Sequence, residues 1–193
     1  FVALRMLHRL GLRSLGLVWS RPNRYGTGTP FVGRGGPDLG PGLEPAGARL
    51  VDACLQLGIA VDLAHLNERG FWDVAERLDG RRPLLVTHSN AHALCPSPRN
   101  LTDAQIRAVA RSGGVIGLNF HVGFLTPDAE KPPDATRELV LRHLDHIAAL
   151  VGTEHVALGS DFDGATMPAG LENVSAVQGL LALFAEAGYT PRD

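Results

Sequence analysis

The chain has 193 residues, 45% hydrophobic and 20% charged, with 18 basic against 20 acidic side chains and a formal net charge of −2. That length suits one domain with a sizeable core, while the balanced charge shows no basic patch of the kind a nucleic-acid binder carries. No apolar run reaches the ~18 residues of a membrane span, and two cysteines, Cys54 and Cys95, make no disulfide framework and fit a reducing cytoplasm.

Residues 1–13 read as a short amphipathic helix, with Arg5, Arg9 and Arg13 four apart on a solvated face. Ser14–Trp19 reads as a strand. Residues 20–45 hold seven glycines and five prolines, so neither helix nor strand runs through them. A loop of that length inside a compact domain reads as an ordered lid or site border. A linker between two domains is the rival reading.

A regular rhythm follows. A helix is expected over 46–57, stopped by Gly58, then a strand over 59–63. Asn67 can cap a helix over 68–78. Further strands are expected over 83–87, 114–120 and 156–159. Between and after them come helices opening at Thr102 and Asp103, over 133–151 and over 176–187. Apolar strands alternating with helices predict a parallel sheet with both faces covered. The chain contains neither a G-x-G-x-x-G after the first strand nor a phosphate-binding G-x-x-x-x-G-K-[ST].

Polar residues recur just past the C-terminal strand ends: His65, His88, Asn119 and Asp161, with Ser160 beside the last. In (β/α) barrels that rim holds the active site. His65 and His88 lie 23 residues apart, and His88 and Asp161 lie 73 apart, yet equivalent strand positions bring them together. Neutral imidazoles and a carboxylate suit zinc or a similar divalent ion. His8, His143, His146 and His155 read as surface residues. His92 reads as structural or as a support to the site, and His121 is a candidate to point into it. Cys54 reads as core. Cys95 precedes Pro96 and has no evident base, so it is not expected to be a nucleophile. Arg99 lies in the loop after the His88 strand, where an arginine can grip a carboxylate in a bidentate pair. No G-x-S-x-G elbow is present.

The stretches GIAVDLAHLNERGFWDV, PLLVTHSNAHALCPSPRNLTDAQI, HVALGSDFDG and GLENVS resemble the membrane dipeptidase (renal dipeptidase) family. WSRPNRYGTG and PDLGPGL bring the bacterial branch closer, and the resemblance runs from about residue 8 to 190. It implies a (β/α)8 TIM-barrel type of metal-dependent hydrolase. Two zinc ions would be joined by a bridging water, and a dipeptide would be the substrate. It further implies that His65 and His88 bind one zinc, that Arg99 holds the substrate's C-terminal carboxylate, and that Asp161 sits beside the reacting water. Asp163 is treated as structural, and related enzymes suggest a homodimer. An opened β-lactam amide lies within the family's reach.

Against that pattern, the family's first-strand H-x-D pair and its bridging glutamate have no counterpart here. The five strands counted match the fourth to eighth of the barrel. The expectation is therefore one partial barrel over 1–193, resembling the C-terminal two-thirds of a dipeptidase, with the first-zinc ligands in segments before Phe1. Trp19 stands where some relatives carry a substrate-contacting histidine. Two other readings compete with an active zinc dipeptidase. One is a non-catalytic fragment or degenerate homologue binding at most one metal. The other is a barrel hydrolase acting on cyclic amides, against which Arg99 and the lack of a strand-end lysine argue.

Overall fold

The computed structural model describes residues 1–30, 35–127, 137–190 and 192–193. Five short strands form one sheet: β1 (Ser14–Gly16), β2 (Ala60–Asp62), β3 (Leu85–Val86), β4 (Val115–Leu118) and β5 (Val156–Leu158). They lie side by side in chain order, and every neighbouring pair is parallel. A doubly wound sheet would reverse its strand order at a switch point. An unreversed order with a helical crossover after nearly every strand is the winding of a (β/α) barrel, here a five-stranded part of one.

The helices are α1 (Val2–Arg9), α2 (Pro45–Leu57), α3 (Glu68–Leu78), α4 (Asp103–Arg111), α5 (Val122–Leu125), α6 (Arg137–Val151) and α7 (Val177–Glu186). Their boundaries follow from the residues that end them. Pro45 opens α2, where its missing N–H costs nothing. Asn67 caps α3 by accepting from the Gly70 N–H. Thr102 and Gln105 form a reciprocal capping box on α4. Gly58 stops α2 in the left-handed region, at φ 70°. Helix α2 packs on α3, α4 on α6 and α6 on α7. Val51, Val74, Val86, Ile106, Ile116 and Ile147 are fully buried between helices and sheet.

The expected helix over 133–151 is described from Arg137 onward, and residues 133–136 lie outside the described residues. So do residues 31–34 of the Gly/Pro-rich loop. The rest of that loop is pinned to the strand-end rim. Thr29 donates to the His65 carbonyl, and Asn67 donates to the carbonyls of Leu39, Gly40 and Pro41. In α1, Arg5 and Arg9 face solvent as expected, but Leu4 alone is buried, and Val2, Met6, Leu7 and Leu10 are exposed too.

One histidine expectation is corrected. His143 is not a surface residue: it is 1% exposed, on the inward stripe of α6 with Val140, Leu144 and Ile147. Its Nδ1 accepts from the Ala91 N–H at 3.1 Å, so its Nε2–H donates to the Leu125 carbonyl at 3.1 Å. One ring thus satisfies two buried backbone groups from different loops. His146 is half-buried and bonds Asp103 at 2.9 Å, and the half-buried His155 bonds the Gly114 carbonyl at 2.9 Å.

Close approach fixes two glycines. A Cβ on Gly117 in β4 would lie 2.0 Å from the Thr87 carbonyl oxygen, and one on Gly159 would meet the same oxygen at 2.0 Å. Gly58 has a positive φ but open space around it. Gly58→Ala should therefore cost about 1–2 kcal/mol of stability, the left-handed penalty alone. Gly117→Ala should cost more than ~3 kcal/mol, because backbone must move. Urea unfolding of the two variants checks the order, and equal costs would contradict the packing.

Burial pushes the His143 imidazole down to about 4, with His146 and Arg142 adding to the effect. The folded ring stays neutral while the unfolded ring takes a proton near pH 6.5. The associated stability is complete above pH 6.5 and is lost as pH falls toward 4, by up to ~3 kcal/mol. His143→Gln keeps a donor and an acceptor without a titrating ring. Its urea midpoint should fall less over that interval than the parent's, and an unchanged slope would show that His143 does not contribute.

Candidate active site

The rim at the C-terminal strand ends gathers the polar residues that the spacing singled out. His65 follows β2 and is buried, and His88 follows β3 and is half-buried. Their Nε2 atoms approach to 2.9 Å, and their ring planes meet at 65°. The opposite nitrogens are also engaged. His65 Nδ1 lies 3.0 Å from Ser20 Oγ, and His88 Nδ1 lies 2.6 Å from Thr87 Oγ1. The Thr87 hydroxyl in turn reaches Asp62 Oδ2 at 2.6 Å. Asp62 aligns with Leu85 across the β2–β3 ladder, two residues before Thr87, so both side chains project on one face of the sheet.

Asp161, after β5, accepts from Asn119 Nδ2 at 3.1 Å. Asn119 sits at the end of β4 and is fully buried. Its own oxygen takes the His121 N–H at 2.6 Å. His65 and Asp161 both adopt positive φ, 70° and 63°, conformations that non-glycine residues enter only when their surroundings hold them there. For His65 the holder is Thr29, whose N–H and hydroxyl both donate to the His65 carbonyl, at 2.8 and 3.3 Å.

Arg99 is 3% exposed. Its Nη2 donates to the His88 carbonyl at 3.2 Å, and its guanidinium lies 5.3 Å from the centre of the Phe124 ring. Its Nε has no hydrogen-bond partner among the described residues. The ion pairs found among those residues are Arg77–Asp52 and His146–Asp103, so Arg99 is a buried cation outside both. Burial lowers it to about 10, opposed by the fields of Asp161 and Asp62, and it stays charged at neutral pH. Burial, then the Arg99 charge and His88, pushes His65 down to about 3. His88 is lowered by the same burial and the same guanidinium, against the pull of Asp161 and Asp62. Both imidazoles are thus neutral at physiological pH, the form in which imidazole binds metal.

The structure brings His65, His88, Arg99 and Asp161 to one rim through direct contacts and mutual fields. His121 packs edge-on against Phe124, and its Nδ1 bonds the Thr166 carbonyl at 3.2 Å. His92 supports the site's surroundings: its Nε2 bonds the Gly35 carbonyl at 3.0 Å and ties down the loop. The exposed Trp19 lies 6.1 Å from the His65 ring. Cys54 is core, its thiol pushed up to about 11 by burial, and the buried Cys95 donates to the Gly123 carbonyl. Sequence reasoning missed Ser20, Asp62 and Thr87. Their signal was a polar residue at the end of an otherwise apolar strand, in GLVWS, AVD and LLVT.

The geometry agrees with comparisons to known proteins. The sequence profile of the membrane dipeptidase family, peptidase family M19, matches residues 1–193. An uncharacterised protein from the pqqA 5′ region of Klebsiella pneumoniae is 44% identical over 186 residues, covering 96% of this chain and 68% of that one. Another, from the PQQ-III 3′ region of Acinetobacter calcoaceticus, is 39% identical over 144 residues, 75% of this chain and 45% of its own length. A crystal structure of a metallopeptidase from Rhodobacter sphaeroides, liganded with a phosphinate mimic of the dipeptide L-Ala-D-Ala, superposes with a TM-score of 0.93 at 51% identity. It matches 98% of this chain, which spans 54% of that structure's length. With its whole length matched by one family's model and its fold superposing on a metallopeptidase at 51% identity, the chain belongs to the membrane dipeptidases of peptidase family M19.

Proposed function

We propose that this chain contributes the His65–His88 half of the metal centre, together with the carboxylate grip, of a zinc-dependent dipeptidase. The observation that carries the reading is Arg99, a buried guanidinium outside any ion pair among the described residues and placed against the backbone of His88. Burying a charge costs several kcal/mol unless a counter-charge meets it. A substrate carboxylate supplies that counter-charge, and its position beside the histidines demands that it lie close to the reacting bond. That favours a dipeptide over a longer chain. The Rhodobacter protein's L-Ala-D-Ala mimic supports the same substrate class.

The donor set fits the metal. Two neutral imidazoles converge through Nε2 at 2.9 Å, while each Nδ1 is held by a hydroxyl. His65 and His88 would hold the zinc, which would supply positive charge to polarise a carbonyl and acidify water. Arg99 orients the substrate by its carboxylate. Asp161 accepts the proton of the attacking water at its carboxylate and delivers it to the leaving amine nitrogen. Asn119, bonded to Asp161 Oδ2, fixes the carboxylate's direction. The described residues include no helix long and apolar enough to cross a membrane. With two free cysteines, that is compatible with the cytoplasmic site we favour.

A second reading has one observation behind it. Among the described residues, no three His, Cys, Asp or Glu side chains form a group able to hold a metal. On that reading the chain binds at most one metal and turns over nothing.

Zinc per polypeptide and dipeptide hydrolysis by the intact protein separate the two. The dipeptidase reading expects about two zinc ions in the complete site and loss of hydrolysis in His65→Ala. Arg99→Met should lower kcat/KM for Ala-Ala by roughly 30-fold or more, the cost of losing a buried charged contact. The same variant should leave hydrolysis of a C-terminally amidated dipeptide, already poor, nearly unchanged. Full activity in His65→Ala would sink the metal assignment.

A further inference from the structure

We propose that Asp62, acting through the Thr87 hydroxyl, fixes His88 as its Nδ1–H tautomer, whereas Ser20 leaves His65 able to adopt either tautomer. The two histidines are then unequal before anything binds: one is set in advance and the other adjusts.

Asp62 is surrounded by donors. Its Oδ1 takes the N–H groups of Ala64 and Thr87, each at 3.0 Å, and its Oδ2 faces the Thr87 hydroxyl at 2.6 Å. A carboxylate only accepts, so the single hydroxyl hydrogen of Thr87 points to Asp62. The 2.6 Å contact between Thr87 Oγ1 and His88 Nδ1 then needs its hydrogen from the imidazole. His88 is therefore protonated on Nδ1, and its Nε2 presents a lone pair toward His65.

His65 is held differently. Its Nδ1 meets Ser20 Oγ at 3.0 Å, and among the described residues no carboxylate is bonded behind that hydroxyl to dictate the direction of its hydrogen. With the site metal-free, the 2.9 Å contact between the two Nε2 atoms requires a proton on His65 Nε2, because His88 Nε2 has none. Ser20 then donates to His65 Nδ1. When both Nε2 atoms serve as ligands, His65 must carry its proton on Nδ1 instead, and Ser20 turns to accept it. The change moves one proton between two nitrogens of the same ring and leaves the protein's charge unaltered.

Asp62 and Thr87 are thus positioning residues, acting on His88 rather than on substrate. For zinc binding the consequence rests on the reading of the two histidines as ligands; the tautomer itself does not. Long-range 1H–15N spectra of the metal-free intact protein, labelled at histidine and assigned with His88→Asn, read the tautomers directly. His88 should show a protonated Nδ1 and a bare Nε2. Thr87→Val, which keeps shape and leaves both bonds to Asp62 Oδ1, should lose that pattern, and Thr87→Ser should retain it. Zinc alone, titrated against a chelator, should bind Thr87→Val about 10- to 100-fold more weakly, with a smaller loss in Ser20→Ala. A parent protein with His88 protonated on Nε2, or a Thr87→Val spectrum identical to the parent's, would overturn the proposal. If the tautomers behave as stated while zinc leaves the His88 nitrogens unperturbed, the metal reading falls and the role of Asp62 stands.

Discussion

A parallel ladder ends with amides and carbonyls that must find partners beyond the sheet, and in this chain side chains supply them. Asp62 at the end of β2 takes the Thr87 N–H. Asn90, two residues past His88, takes the Asn119 N–H and donates to the Asn119 and Phe124 carbonyls. Asn119 at the end of β4 donates to Asp161, beyond β5. Successive strand ends are therefore tied one to the next by side chains rather than by more ladder. The backbone is free to turn away and present His65, His88 and Asp161, while their spacing stays fixed.

The same rim sets the electrostatics. Arg99 is buried against the His88 carbonyl and the Phe124 face, both of which tolerate a cation without neutralising it. Its charge adds to burial in keeping both imidazoles unprotonated, and it is itself only partly offset by the fields of Asp161 and Asp62. One buried guanidinium thus serves two ends. It keeps the His65 and His88 imidazoles neutral, and on the proposed reading it leaves uncompensated charge for a substrate carboxylate. A lysine could supply charge but not the planar fork for a carboxylate.

Much of the fold was legible because its signals are local. Asn67, Thr102 and Gly58 mark helix ends by their own chemistry, and the five apolar runs locate the strands. His65 and His88 were legible because equivalent strand ends converge whatever their separation in sequence. What escaped depends on partners far along the chain. His143 carries the period of Val140, Leu144 and Ile147, so its inward position was readable. A histidine there looked like surface because its two backbone partners lie 52 and 18 residues away. Asp62 and Thr87 were hidden for the same reason: each sits in an apolar run, and their pairing appears once β2 and β3 are in register.

The positive φ of His65 links the Gly/Pro-rich loop to the chemistry. A left-handed non-glycine residue carries a penalty of about 1–2 kcal/mol, and two hydrogen bonds from Thr29 to the His65 carbonyl hold it in place. Thr29 lies in the loop, and from Leu39 to Pro41 the same loop passes Asn67, whose amide grips three successive carbonyls and whose oxygen caps α3. The loop, the first turn of α3 and the His65 backbone are consequently one hydrogen-bonded unit. Among the described residues no such bond runs from the loop to the His88 backbone; the His88 ring is supported from within the sheet, through Thr87 and Asp62. A displacement of the loop would therefore reach the rim first through the His65 backbone, and His88 through its contact with His65. That division, His65 tied to the loop and His88 to the sheet, parallels the adjustable and the fixed tautomer that the hydrogen count along Asp62, Thr87 and His88 gives.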